Sequence, residues 1–475
     1  MKTRFILKLD QPLDVSGLRL FLFNQLAAKA GGGTVAIRTE STNDANFDAT
    51  KKIFSWLGLN WDEGLGHGSA RSAEVKTAAY KKYLDQLVAE GKAYPCYCSE
   101  ERLKESRSRQ TIQGKRPRYD GHCRGLTSQG RGLTSAQKEE LQAQRQPQIR
   151  VQLDPEGPLT LHEQVGGERS LPRNLVEDYV IARADGSVAK NFSVAVDDME
   201  EGITDLIIGE DDLPNLFQQS IFRKLLAQQE PQYTLIPVLL DTDHGLLAKK
   251  GEAFWVKKFQ QDGFLPRGLV RYLISCGWPQ SLSYPLEEIA EHFKEAQWVR
   301  SSPVFDIAAL RDINGECLQE IAEDNFLALS RPYVGPCPDA LFATIARGAR
   351  PYLKTLAELG AYAVIVMNEA MTVPPDFVPL LRTERAKNSL RFIIQELAGV
   401  ESFASETMSQ LVEATAAKFK IKTKSVWTPL QIALTGEGGE LVMDPIPHLL
   451  GKEKVQARLQ QALHLAEALE PPVVA

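Results

Sequence analysis

Residues 14–17 read Asp-Val-Ser-Gly, where an apolar strand (Phe5 to Leu9) passes through Pro12 into an amphipathic helix from about Gly17. A strand, a turn and a helix N-terminus make an anion site. The first backbone N–H groups of a helix lack intrahelical partners, and the dipole is positive there. The chemistry such a corner suits is phosphate binding. Asp14 opposes it, because a carboxylate repels a polyanion and can cap the N–H groups itself. A second stretch, Leu-Leu-Ala-Lys-Lys-Gly at 246–251, places Lys249 and Lys250 on a loop. Two ammonium groups there reach a phosphate, or they stand in solvent as ordinary surface charge. A third group brings thiols: Cys96 and Cys98 in Cys-Tyr-Cys, and Cys123 beside His122. Three thiolates and a histidine can close a tetrahedral metal site; three reduced cysteines packed in the fold is the other reading.

These residues need a frame. Residues 1–75 read as strand, helix, strand, helix: strands at 4–9 and 34–38, a helix at 17–30, and a helix containing Ile-Phe-Ser-Trp-Leu-Gly-Leu. Alternation of that kind predicts a parallel, doubly wound sheet. Residues 77–106 read as helical, broken at Pro95-Cys96-Tyr97-Cys98. From 107 to 150 Arg, Gln, Gly and Ser dominate with little periodicity, as in a solvated insertion. Apolar alternation returns at 149–153 and again across 177–198, where Ala184, Asp185 and Gly186 mark the turn of a hairpin. Beyond 240 the pattern is helical, except at 427–439, which reads as an apolar strand ended by glycines.

A chain of 475 residues has room for about three domains of ~150 residues each. With 43% hydrophobic residues each can bury an ordinary core. The net charge of −6 excludes capture of nucleic acid by the whole chain but leaves room for a local basic face. No run of about 18 apolar residues occurs, so no membrane span is expected. The opening stretch is too short in apolar residues for a signal peptide. Six cysteines in so long a chain do not form a disulfide scaffold. A cytoplasmic protein is expected.

Motifs along the whole chain place it beside a known family. Arg4-Phe5, 17–24 (GLRLFLFN), 37–42 (IRTEST), 56–64 (WLGLNWDEG), 93–103 (AYPCYCSEERL), 115–124, 191–198 (NFSVAVDD), 202–215 (GITDLIIGEDDLPN), 263–278 and 428–436 stand in register with one another. With these the chain resembles a bacterial glutamyl-tRNA synthetase of class I. The resemblance implies a Rossmann-type catalytic domain (1–80 and 180–235) with an inserted acceptor-binding subdomain (81–179). A stem-contact domain (236–320) and an α-helical anticodon-binding domain (321–475) would follow. It implies ATP and Mg²⁺, glutamate as the acid activated, tRNA as partner, and a monomer.

The same resemblance assigns roles, and several are altered. The motif that donates to the triphosphate aligns with 14–17. Asp14 replaces its first histidine and Ser16 a glycine, while Gly17 is ordinary there. The mobile lysine loop aligns with 246–253, keeping Lys249 and Lys250, with Ala248 for serine. Gly209, Glu210 and Asp211 match the stretch that approaches the nucleotide ribose; Asp212 replaces a histidine. For the amino acid, Arg4 matches the arginine that holds the side-chain carboxylate and Glu40 the group that receives the ammonium. Lys190 replaces a tyrosine and Ile208 a second arginine. In some members a structural Zn²⁺ sits on the Cys-x-Cys pair, the later cysteine and a His or Tyr two residues beyond it. Gly125 occupies that last position here, with His122 on the other side of Cys123. Basic segments at 107–124, 382–391 and 418–427 fall where the family meets tRNA. Two readings follow: a tRNA-binding paralogue with weak or lost glutamate adenylation, or a working ligase, for glutamate or another small acid, with substituted contacts.

Overall fold

The computed structural model describes residues 1–39, 45–67, 72–124, 135–153, 157–369, 371–400, 403, 406–436 and 442–468. The chain divides into two units: Met1–Val256 with Leu273–Phe305, and Lys257–Tyr272 with Asp306–Ala475. Residues 236–320, expected as one stem-contact domain, are shared between them.

In the first unit β1 (Lys2–Leu7), α1 (Val15–Ala30) and β2 (Thr34–Thr39) form a βαβ block that α2 (Ala45–Leu57) and β3 (Glu63–Gly64) extend. The β1–β2 pair is parallel with Arg4 opposite Ala36, and β2 pairs parallel with β3. Helix α1 is buried on most of its surface, through Leu18, Phe21, Phe23 and Leu26 among others. Phe21 meets Phe5 of β1 and Phe54 of α2 edge-on, at 5.6 and 4.7 Å. Each such ring, fully buried, contributes about 1.5–3 kcal/mol.

The chain continues as α3 (Ala73–Ala89), β4 (Ala93–Cys96), α4 (Glu100–Ile112), α5 (Ser135–Gln144), β5 (Gln148–Val151), β6 (Leu159–Glu163), β7 (Gly167–Leu171) and β8 (Val180–Ala182). Strands β4, β5 and β8 make an antiparallel sheet. The chain then returns through α6 (Lys190–Glu200), β9 (Asp205–Gly209), α7 (Leu213–Leu225) and β10 (Gln232–Ile236). Strands β9 and β10 pair in parallel, with Ile208 opposite Leu235, and β6 and β7 complete their sheet.

Two expected strands are helices. The turn at Ala184–Gly186 is present, closed by Gly186 N–H to Arg183 O at 3.0 Å. The expected return strand is instead α6. Its apolar alternation (Phe192, Val194, Val196) also contains the helical stripe Phe192, Ala195, Val196, Met199, and that stripe is what packs. At 427–436 the chain continues the helix Thr423–Thr435, whose stripe Val426, Leu430, Ala433, Leu434 is buried. Gly436 ends it as a left-handed cap (φ 80°), with a Cβ at that position only 2.6 Å from Thr372 O. Gly436 stops a helix, not a strand. Residues 437–441 lie outside the described ones.

The second unit is helical. Its core runs through Leu318, Phe326, Ile345, Tyr362, Leu390, Ile393, Val426 and Leu459. The buried Arg458 guanidinium donates to Ile365 O and Asn368 O at 2.7 and 2.6 Å, and also to Leu434 O. It thereby satisfies carbonyls at two helix C-termini, the ends that favour a cation.

Candidate functional site

A cavity of about 560 Å³ opens at the C-terminal ends of the parallel strands, lined by Leu7 of β1, Gly209 of β9 and Ile236 of β10. That is where open α/β sheets place ligands. It gathers residues far apart in sequence: Asp14, Ser16 and Gly17, Arg4, Lys190, Ile208, Gly209, Asp211 and Lys249 all line it. Glu210 and Lys250 are not among its lining residues. Glu210 pairs with Arg169 at 3.1 Å, and the Lys250 ammonium bonds Asp241 and lies 3.7 Å from Asp243. Glu40 lies outside the described residues.

At the corner, buried Leu9 and Leu13 pin the segment between β1 and α1. Asp14 has extended backbone (φ −94°, ψ 170°) and its Oδ1 accepts from Gly17 N–H at 2.7 Å. Its carbonyl accepts from Leu18 N–H at 2.9 Å, the first helical bond. The carboxylate is therefore the N-cap of α1, and it takes a donor that an anion there would use. Burial pushes its carboxyl above the ordinary aspartate range, against the hydrogen bond from Gly17, nearby Lys8 and the bond from Ser16. Asp14 also bridges to Trp255, and Val256 N–H donates to Leu13 O at 2.9 Å. The segment after Lys249 and Lys250 is thus tied to the corner.

The Arg4 guanidinium is 4% exposed and already carries a carboxylate: its Nε and Nη2 donate to Asp198 at 3.1 and 3.3 Å. Arg38 donates to Asp198 at 2.8 Å and to Glu201 at 2.6 Å, and Arg223 lies 3.8 Å from Asp198. Burial disfavours the Asp198 charge, but Arg4, Arg38 and Arg223 outweigh it and hold this carboxyl below the usual range. Ile208 is buried in β9. Sequence reasoning did not single out Asp198; the adjacent acids Asp197 and Asp198 on a helix facing Arg4 were the available signal.

The structure brings the three thiols together. Cys96, Cys98 and Cys123 lie within 4.8 Å of one another, and Cys98 Sγ is 3.5 Å from Cys123 Sγ. His122, expected as a fourth ligand, is not part of the cluster. Its backbone N–H bonds Asp120, and burial and Arg102 lower its imidazole pKa. Adjacent residues start their side chains in different directions, and it is Cys123 whose side chain joins the other two thiols. The Tyr119 hydroxyl takes that place, 3.5 Å from Cys96 Sγ and 3.9 Å from Cys98 Sγ. A zinc tetrahedron with ordinary bond lengths has S–S edges of about 3.8 Å and S–O edges of about 3.5 Å, so the donors fit. Hydrogen bonds from the Cys123 and Cys98 thiols hold Cys96 below the usual thiol range, and Arg150 Nε donates to it at 3.3 Å. Tyr119 was not among the residues the sequence singled out; only its place four residues before Cys123 could have drawn attention to it.

Of the basic segments, Arg107, Arg109, Lys115, Arg116 and Arg118 are exposed in the insertion, whereas Arg102 pairs with Asp120 and Arg124 with Asp178. In the helical unit Arg391 pairs with Glu467 and Lys387 with Glu384. Lys418, Lys420, Lys422 and Lys424 are exposed around the left-handed turn at Lys420.

Comparison with known proteins accords with this architecture. Residues 2–313 match the family described as tRNA synthetases class I (E and Q), catalytic domain, and residues 325–463 match an anticodon binding domain. The chain belongs to the glutamyl-tRNA synthetase family of class I tRNA synthetases. Similar proteins include the glutamate–tRNA ligase of Desulfitobacterium hafniense (strain Y51), 30% identical over 97% of this chain and 98% of that one. That of Carboxydothermus hydrogenoformans is 28% identical over 97% and 99%. A solved glutamate tRNA ligase from Elizabethkingia meningosepticum CCUG26117, in complex with its amino acid, shares the fold at a TM-score of 0.74 and 18% identity, covering 98% and 99% of the two chains. Among the described residues no helix is long and apolar enough to cross a membrane.

Proposed function

We infer that this chain keeps the tRNA-binding surfaces of its family while its adenylation of glutamate is weak or lost. The observation that carries this is the Asp14 carboxylate seated as the N-cap of α1, inside the cavity, on the Gly17 N–H. Losing one preorganised donor to a transition state costs roughly 3–4 kcal/mol. A carboxylate about 5 Å from a phosphate charge adds repulsion of about 3 kcal/mol at an effective dielectric of ~20. Ile208 for arginine removes a charge-assisted pair of about 1.5–3 kcal/mol. Coupling within one site reduces the sum; half of it still slows the reaction about a thousandfold.

The Arg4–Asp198 pair supports the same reading, because the guanidinium assigned to the substrate carboxylate already holds one. The insertion would meet the acceptor end of tRNA, with 236–320 on the stem and 321–475 at the anticodon. Zn²⁺ on Cys96, Cys98, Cys123 and Tyr119 would brace the insertion without entering the chemistry. Lys249 in the cavity favours the second reading, a ligase working with substituted contacts, since it puts one cation within reach of a phosphate. ATP–pyrophosphate exchange with glutamate, with and without bulk tRNA, separates the two. The expected exchange is barely above background; turnover near one per second would establish the working ligase instead.

A further inference from the structure

Gln219 of α7 lines the same cavity, is 5% exposed, and its Oε1 has no hydrogen-bond partner among the described residues. Its orientation is dictated from a distance. Asn215 Nδ2 donates to Asp212 Oδ1 at 2.6 Å. An ionised carboxylate only accepts, so Asn215 must turn its amide nitrogen to Asp212 and its oxygen onward. That oxygen accepts from Asn191 Nδ2 at 3.0 Å, and the same nitrogen donates to Gln218 Oε1 at 2.8 Å. Both hydrogens of Asn191 are then used, and its oxygen faces Gln219 Nε2 at 3.5 Å. Turning Gln219 over would set two amide oxygens against each other. The chain of amides therefore starts at an anion and ends at a buried acceptor that lacks a donor, which is destabilising until a donor arrives.

We propose that this relay, Asp212–Asn215–Asn191–Gln219, makes Gln219 a specificity-determining residue, so that the amino-acid end of the cavity takes a primary carboxamide side chain in preference to a carboxylate. The inference rests on reading the cavity as an amino-acid site. A carboxylate offers Gln219 Oε1 only another acceptor. Its former partners are an isoleucine, Ile208, and an arginine, Arg4, already bonded to Asp198. An ammonium would satisfy Gln219 but would meet Arg4, Lys8 and Lys190 in the same cavity. A carboxamide supplies an N–H to Gln219 and a carbonyl that tolerates those cations. Asp212, where the resemblance places a histidine, sets the direction of the relay.

Isothermal titration of the full chain with glutamine, glutamate and lysine tests this. The expected result is glutamine binding at least tenfold more tightly than either of the others. Gln219→Leu should lose most of that preference. Asp212→Asn, which can donate as well as accept, should narrow it through an unaltered Gln219, and it serves if Gln219→Leu fails to fold. Glutamate binding as tightly as glutamine, or a preference unchanged in Asp212→Asn, overturns the inference and leaves the amino-acid reading intact. Binding of none of the three overturns both.

Discussion

At the residue scale, Asp14 does two things that can be separated by chemistry. Asparagine caps a helix about as well as aspartate but carries no charge. Asp14→Asn should leave thermal stability within about 0.5 kcal/mol of wild type and raise ATP affinity roughly tenfold or more, read by fluorescent nucleotide titration. Asp14→Ala removes the cap as well and should lower stability by about 1 kcal/mol in a urea melt. Equal nucleotide affinity in wild type and Asp14→Asn would remove the electrostatic argument. Asp198 is the second decisive residue. It is fully buried among Arg4, Arg38 and Arg223. Asp198→Asn leaves Arg4 and Arg223 without their anion and Arg38 with Glu201 alone, and should destabilise by about 3–5 kcal/mol. Its carboxyl is held below the ordinary value of 3.8. Its pairing therefore contributes stability above that value, and the contribution falls away as pH drops through the lower, folded one. Urea midpoints between pH 6 and pH 2.5 should show that acid-side loss in wild type and a smaller one in Asp198→Asn.

At the element scale, β4, the turn at His122–Arg124 and the loop carrying Tyr119 meet around three free thiols, and their small core of Tyr94, Tyr97 and Tyr119 is aromatic rather than aliphatic. A zinc ion on three thiolates and a phenolic oxygen would carry much of the stability of so small a cluster. Elemental analysis should find one zinc per chain, lost in Cys98→Ser. Tyr119→Phe should weaken zinc by at least about tenfold, the loss that even an outer-sphere partner can cause, whereas His122→Ala should leave it unchanged. Zinc affinity that follows His122 instead of Tyr119 would contradict the donor set. The segment 427–436 shows how an element is misread: Thr-Pro-Leu-Gln-Ile-Ala-Leu-Thr has β-branched residues that favour a strand and a proline that disfavours a helix interior. Burial of Leu430, Ala433 and Leu434 on one stripe decides for the helix.

At the scale of the whole molecule, a net charge of −6 coexists with exposed cation clusters, one in each unit. Binding of tRNA by such patches is a local counterion effect and should weaken steeply with salt. Changing Lys418 and Lys422 to alanine should weaken tRNA retention at low salt. The slope of log affinity against log salt should become shallower by about 0.7–0.9 for each phosphate that a lysine no longer neutralises. Affinity insensitive to salt, or to these changes, would argue against the helical unit as a tRNA surface.

The order of βαβ elements, the helical second half and the family were legible in the chain itself. They rest on periodicity, on turn residues and on short motifs in register, all of which are local. What the linear pattern left open was where each side chain ends. The folding of α6 against β1 is what delivers Asp198 to Arg4, and the turn at Cys123 is what ties the Tyr119 hydroxyl in beside the thiols. The Gln219 oxygen, without a partner among the described residues, is oriented only through two amides and an acid drawn from two helices and the turn before α7. Hydrogen-bond direction and buried charge depend on partners brought together by tertiary packing, and a sequence written in one dimension does not specify them.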